Sequence, residues 1–361
     1  MKTASYRRPT RRFAFCGPRT TLAEVVVMSQ RETRPRICII GLGLIGGSLG
    51  LAIRAAKAKD IEVVGYDREP TNEERARRLG AIDHGVRDLA DGVSGASIVI
   101  LATPIQAMRE VLIEIAPLLP AGSIVTDVAS TKTPVLRWAE EHLPAGVSFV
   151  GGHPMAGKET QGIANAEAGL FRDKVYCLCP ATEATEASIG VVQSLVRLVG
   201  ARSLFIDPQE HDQYVAAVSH LPLMLSVALF EMLCESTGWQ EIALLAASGF
   251  RDTTRLASGD AQMSYDIAVT NREALLGWLD RYLAQLASLR QAIADADPQL
   301  LERFARIKLK RDTFIESPAG RPDIRAAGVP AEGELEQSLI ALLAGRSAAE
   351  RLTRNPREQR S

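Results

Sequence analysis

One stretch limits the folds open to this chain more than any other. RICIIGLGLIGGSLG, residues 36–50, joins a short β-branched run to glycines spaced G-x-G-x-x-G and then to a helical pattern, LAIRAAKAK. A second apolar run, EVVGYD at 62–67, ends on an acid. Strand, glycine turn, helix and strand open a parallel sheet, because parallel neighbours need a crossover long enough to hold a helix. The alternation continues with predicted strands at 97–101, 123–127, 147–150, 175–180 and 201–207. Helical patterns at 71–80, 105–117, 132–142 and 186–199 separate them. A mostly parallel sheet covered on both faces follows.

After Asp207 the strands stop. Asp207-Pro208 reads as a helix start, with a capping acid and Pro in the first turn. From there the pattern is helical to residue 297, and Leu275, Leu279, Leu283, Leu286 and Ile293 form an apolar stripe on the last long segment. The expected fold class is α/β, an N-terminal Rossmann-type parallel-sheet domain followed by an all-helical dimerisation domain. The expected units are a disordered extension at 1–35, a dinucleotide-binding domain at 36–206, a helical domain at 207–297 and a charged tail at 298–361. Only a short helix near 333–352 is expected in that tail.

With 361 residues and a net charge of −1, composition carries no bias toward nucleic acid or a charged membrane surface. The longest apolar run, LPLMLSVALF at 221–230, falls short of a membrane span. The five cysteines lack C-x-x-C spacing, so neither a disulfide framework nor a metal site is expected. Cys177 and Cys179 alternate and read as buried neighbours on one strand face. Residues 1–20 carry six Lys or Arg and no acid, which suits a transit peptide; an upstream start ahead of Met28 is the favoured alternative.

The glycine motif gains weight from its context. Gly41 permits the tight turn, Gly43 lets backbone approach a pyrophosphate, and Gly46 lets helix and strand pack closely, with Leu44 and Ile45 opening the helix. Asp67 is placed to accept hydrogen bonds from ribose hydroxyls, which favours NAD; Arg68 beside it leaves NADP open. Thr103 and Pro104 follow the third long strand, near the expected nicotinamide position.

GGHPMAGKET at 151–160 imitates a phosphate-binding P-loop, but Glu159 stands where the magnesium-ligating hydroxyl belongs, and Pro154 removes a backbone donor. The segment is expected instead to be a loop at the carboxyl end of a strand, facing the cofactor. His153 is then the candidate base for an alcohol proton, with Ser130 of DVASTKTP orienting it. Arg251 and Arg255 of RDTTR suit a carboxylate substrate. His220 lies among apolar residues, where a satisfied core histidine is the plain reading.

Taken in order, GLGLIGGSLG, DVASTK, GGHPMAGKETQG, HDQYVAAVSHLP, SGFRDTTRLASGD and NREALL resemble the prephenate/arogenate dehydrogenase family of tyrosine biosynthesis. The resemblance implies a cytoplasmic homodimeric enzyme. It removes hydride from a hydroxyl-bearing cyclohexadiene carbon and releases CO2 as the ring becomes aromatic. It further implies that His153 takes the hydroxyl proton, that Ser130 supports it, and that Arg255 binds substrate carboxylate. His220 would line the pocket, and Glu159 and Asp252 would form a polar gate. Lys158 departs from the family pattern, as an added cation for the substrate or a solvent-facing residue. Asp212 is a weak pointer to the amine of arogenate. Two other readings stay open. A β-hydroxyacid dehydrogenase-type reductase would want a helical-domain lysine, and 208–297 contain none. A non-catalytic NAD sensor would have no use for the His153, Ser130 and Arg255 set.

Overall fold

The computed structural model describes residues 34–56 and 60–316. The expectations for the first 33 residues and for a helix near 333–352 lie outside the described residues. Eight strands form one sheet: β1 (Arg36–Ile40), β2 (Glu62–Tyr66), β3 (His84–Gly85), β4 (Ala96–Leu101), β5 (Ile124–Asp127), β6 (Ser148–Pro154), β7 (Val175–Pro180) and β8 (Arg202–Phe205). Their order is β3-β2-β1-β4-β5-β6-β7-β8, and only β6 and β7 run antiparallel. Two-residue β3 has no legible pattern in the sequence; it exists because β2 offers Val64 and Gly65 as partners.

Helices α1 (Leu44–Ala55), α2 (Pro70–Leu79), α3 (Leu89–Val93), α4 (Ile105–Ile115), α5 (Thr133–His142) and α6 (Glu186–Leu198) connect the strands. Strand side chains alternate between faces. Ile37 and Ile39 pack into one cluster with Leu49 and Ile53 of α1 and Val192 of α6. Cys38 and Ile40 pack into the other with Met108 and Leu112 of α4 and Val135 of α5. Both faces are dry, which is why β1 and β4 read as continuous apolar runs. The strand order reverses between β1 and β4, so a crevice opens at their carboxyl ends.

The helical part begins at α7 (Pro208–Val215), where Asp207 accepts from Gln209 N at 2.8 Å and Glu210 N at 3.1 Å. A π turn, Ala216–His220, leads directly into α8 (Leu221–Cys234). The joined helix spans 27 residues and holds an 18-residue stretch of mean hydropathy 1.7, so by length and composition alone it reaches membrane-span size. The sequence pattern hid this, because polar residues ahead of Leu221 shorten the visible apolar run. α9 (Trp239–Leu244), α10 (Ser248–Thr254), α11 (Ala261–Thr270) and α12 (Arg272–Ala294) follow. On α12, Leu275 is buried, whereas Leu283, Leu286 and Ile293 face outward.

Two expectations need correction. Residues 300–316 are helix α13 (Leu300–Glu316) rather than part of a loose tail. The segment LLERFARIKLKRDTFIE has no Gly or Pro, and its charge conceals a helical spacing of Leu301, Phe304 and Ile307. The GGHP segment is strand, not loop: antiparallel β7 pairs with it as far as Pro154, opposite Tyr176.

Candidate active site

The crevice between β1 and β4 is built by glycines with different reasons for being glycine. Gly41 has φ +97°, and a Cβ there would lie 2.6 Å from the Ala102 carbonyl carbon. A Cβ on Gly46 would sit 2.0 Å from Gly41 O. Gly43, the first residue capping α1, has nothing within 4 Å of a Cβ position and no side-chain cap. It therefore leaves open space in front of free helix N–H groups, which is what a pyrophosphate needs.

Asp67 directly follows β2 and braces this turn: Oδ2 accepts from Leu42 N at 2.7 Å, and Oδ1 from Glu69 N at 2.9 Å and Asn72 Nδ2 at 3.1 Å. Arg68 beside it is exposed. Thr103 Oγ1 is buried without a protein partner, and Pro104 starts α4. An open glycine cradle, a carboxylate at the strand end and an orphaned hydroxyl fit a dinucleotide.

The chemical centre lies at the carboxyl ends of β5 and β6. Gly151 and Gly152 are required by contact, since a Cβ would meet the backbone oxygens of Cys179 at 2.9 Å and Asp127 at 2.5 Å, respectively. Asp127 and Lys132 form a wholly buried ion pair. Asp127 Oδ1 accepts from Gly152 N at 2.9 Å, and Lys132 Nζ donates to Gly152 O at 2.5 Å. This pair locks the residue just before His153. It went unseen in the sequence because lysine is almost never fully buried.

His153 is 9% exposed, and its Nδ1 lies 2.9 Å from His211 Nε2. His211 Nδ1 lies 2.9 Å from Asp212 Oδ1. Burial, reinforced by His211, Lys132 and His220, pushes the His153 pKa well below the usual imidazole value. His153 is thus a neutral ring at the mouth of the crevice, the protonation state a base needs. The partner of its Nδ1 is His211; Ser130, expected to orient the ring, is half-buried in the adjacent β5–α5 loop.

Asp212 is not free to meet a substrate amine. Its oxygens accept from Lys132 N at 2.7 Å and Thr133 N at 2.8 Å, capping α5 from the helical domain. These bonds and His211 hold its pKa down against its burial. His220 is also buried; Nδ1 meets Asn271 Nδ2 at 3.1 Å, while Nε2 has no partner. It is therefore only half satisfied, and the plain core reading fails. Burial lowers its pKa to about 4.

Arg255, following α10, forms an ion pair with Glu159 of the loop after β6, both partly exposed. Arg251 and Asp252 are exposed on α10 nearby in sequence. Lys158, expected to meet substrate or solvent, turns back into its own loop, 2.9 Å from Glu167 and 3.1 Å from Asn165 O. That loop is anchored on α1, where Ser48 Oγ accepts from Glu167 N at 3.0 Å. Sequence reasoning missed His211, Lys132, Asp127 and Asn271. All four lie in stretches that carried the resemblance, His211 in HDQY, Asp127 and Lys132 in DVASTK and Asn271 in NREALL, but no pattern within those stretches gave them a role.

Residues 49–205 match the family described as prephenate dehydrogenase, nucleotide-binding domain, and 207–307 match prephenate dehydrogenase, dimerization domain. The chain is 36% identical to the cyclohexadienyl dehydrogenase of Zymomonas mobilis, over 77% of this chain and 97% of that one. It is 34% identical to Synechocystis arogenate dehydrogenase, with TM-score 0.66 over 77% of this chain and 99% of that one. It is 28% identical to A. aeolicus prephenate dehydrogenase, solved with hydroxyphenyl propionate and NAD+, with TM-score 0.73 over 81% and 100%. With the switch-point crevice and the buried histidine site, these matches lead to one conclusion: the chain belongs to the prephenate/arogenate dehydrogenase family of NAD-dependent oxidoreductases, which oxidatively decarboxylate prephenate or arogenate.

Proposed function

We propose that this chain prefers prephenate and NAD, yielding 4-hydroxyphenylpyruvate, with arogenate as the lesser substrate. The observation that carries this reading is the engagement of Asp212. The one acid considered as a partner for an arogenate ammonium is already bonded to two backbone N–H groups and His211. An ammonium brought there would have to compete with all three.

Bound NAD would accept the hydride, with Gly43, Asp67 and Thr103 holding it. His153 takes the ring hydroxyl proton as hydride leaves the same carbon, giving a ketone. The bond to the ring carboxylate then breaks, its electron pair aromatises the ring, and the new phenolate recovers the proton from His153. The sum is prephenate plus NAD+ to hydroxyphenylpyruvate, CO2 and NADH. Arg255 meets a substrate carboxylate after parting from Glu159, and Ser130 and His220 line the pocket. Asp252 belongs to the polar rim.

We assign 36–206 to cofactor binding and 207–316 to the helical domain. Its outward Leu283, Leu286, Ile293 and Phe304 support a homodimer in which a second copy covers them. The same burial would account for the apolar α7–α8 helix without a membrane. A cytoplasmic location fits soluble substrates.

The test is NADH or NADPH formation with prephenate and arogenate, each offered with NAD and NADP. Fastest turnover with prephenate and NAD is expected. Faster turnover with arogenate would overturn the substrate assignment, and faster turnover with NADP would overturn the role given to Asp67.

A further inference from the structure

Asp212 is bonded at both its side chain and its main chain, and from each a chain of hydrogen bonds reaches a different active-site histidine. The side-chain branch runs from Asp212 Oδ1 to His211 Nδ1 at 2.9 Å, and from His211 Nε2 to His153 Nδ1 at 2.9 Å. The main-chain branch runs from Asp212 O to Asn271 Nδ2 at 2.8 Å, and from the same Nδ2 to His220 Nδ1 at 3.1 Å.

Donor and acceptor rules fix the protons along both branches. An ionised carboxylate only accepts, so His211 Nδ1 carries hydrogen and, in a neutral ring, Nε2 carries a lone pair. His153 Nδ1 must then donate, which leaves His153 Nε2 as an acceptor. On the other branch, a backbone carbonyl only accepts, so the atom facing it is the amide nitrogen. One Asn271 hydrogen goes to Asp212 O and the other to His220 Nδ1. The proton of neutral His220 is therefore on Nε2, the buried atom without a protein partner.

We propose that Asp212, acting through His211 and Asn271, is a positioning unit that sets the two histidines in opposite tautomers: His153 presents an Nε2 acceptor and His220 an Nε2–H donor. The acceptor suits the substrate hydroxyl that must lose its proton. The donor suits a carbonyl or carboxylate oxygen of the same substrate. One residue thereby gives the pocket a polarity that fixes which way round an oxygen-rich ring binds. A histidine in the wrong tautomer cannot act as base however well it is placed. The inference rests on His153 being the proton acceptor of the proposed reaction.

The first test reads tautomers directly, by long-range proton–nitrogen correlation of histidine side chains in the intact, NAD-loaded protein labelled at histidine nitrogen. His153 is expected protonated at Nδ1 and His220 at Nε2. His153 carrying its only proton on Nε2, or His220 on Nδ1, overturns the proposal. This reading needs no turnover, so it stands apart from the substrate assignment. The second test compares His211→Gln with His211→Leu. Glutamine can still accept from His153 and donate to Asp212, whereas leucine can do neither. His211→Leu is expected to lower kcat about 10²-fold with KM for NAD unchanged, and His211→Gln to recover most of that loss. Equal losses in the two variants would leave His211 a packing residue and overturn its positioning role. If either variant fails to fold, the wild-type tautomers decide alone.

Discussion

Lys132 and Asp127 lie five positions apart and form an ion pair from which solvent is wholly excluded. Removing one member leaves an uncompensated buried charge. Lys132→Met is expected to cost about 3–5 kcal/mol of unfolding free energy, read from the urea midpoint. A variant within about 1 kcal/mol of the parent would show that the pair contributes little to holding the β5 and β6 ends together.

The three motif glycines should separate under substitution. Gly43 faces open space, so Gly43→Ala is expected to melt with the parent protein yet bind NAD at least about tenfold more weakly. A Cβ on Gly46 would overlap the Gly41 carbonyl, so Gly46→Ala should lose about 3 kcal/mol of stability. Thermal melts with and without NAD distinguish the two. Equal destabilisation by both would contradict the open cradle.

Arg255 and Glu159 make a partly exposed pair, 56% and 41% accessible, so its stability value is under about 1 kcal/mol. Arg255→Ala should leave the melting temperature unchanged and raise KM for prephenate by about 10²-fold. Glu159→Gln frees Arg255 and should not raise that KM. A matching rise in both variants would show that the ion pair itself, not a freed arginine, serves binding.

Acid should weaken the fold through its histidines. The unfolded chain binds a proton at each near the ordinary value of 6.5, while His153 and His220 resist it in the fold. With folded pKa values depressed, their contribution is complete above 6.5 and is lost as pH falls toward 4. His220 alone, lowered to about 4, accounts for about 3 kcal/mol over that range. Urea midpoints at neutral pH and at pH about 5 measure this slope. The acid limb of kcat/KM should likewise lie below 6.5, because His153 stays neutral there. An acid limb at or above 6.5 would argue that His153 is not the base.

Periodicity and glycine spacing were enough to place β1, α1, β2 and the Gly41–Gly46 turn, because local backbone sterics and side-chain alternation are written residue by residue. The same local chemistry marked Asp207 as a helix cap and His153 as a strand-end histidine. The sequence alone could not decide what His153 touches. Its partner lies 58 positions away, across the contact between sheet and helices. Ser130 was the nearer guess; His211 holds the ring because α7 docks with Asp212 capping α5. Burial of Lys132 was equally out of reach, since a lysine is charged and solvated until a fold surrounds it with Asp127 and Gly152. What the chain order determined was the sheet, its crevice and the candidate residues. What only the tertiary structure decided was the wiring among them, because donor and acceptor roles arise from contacts between segments that the sequence keeps far apart.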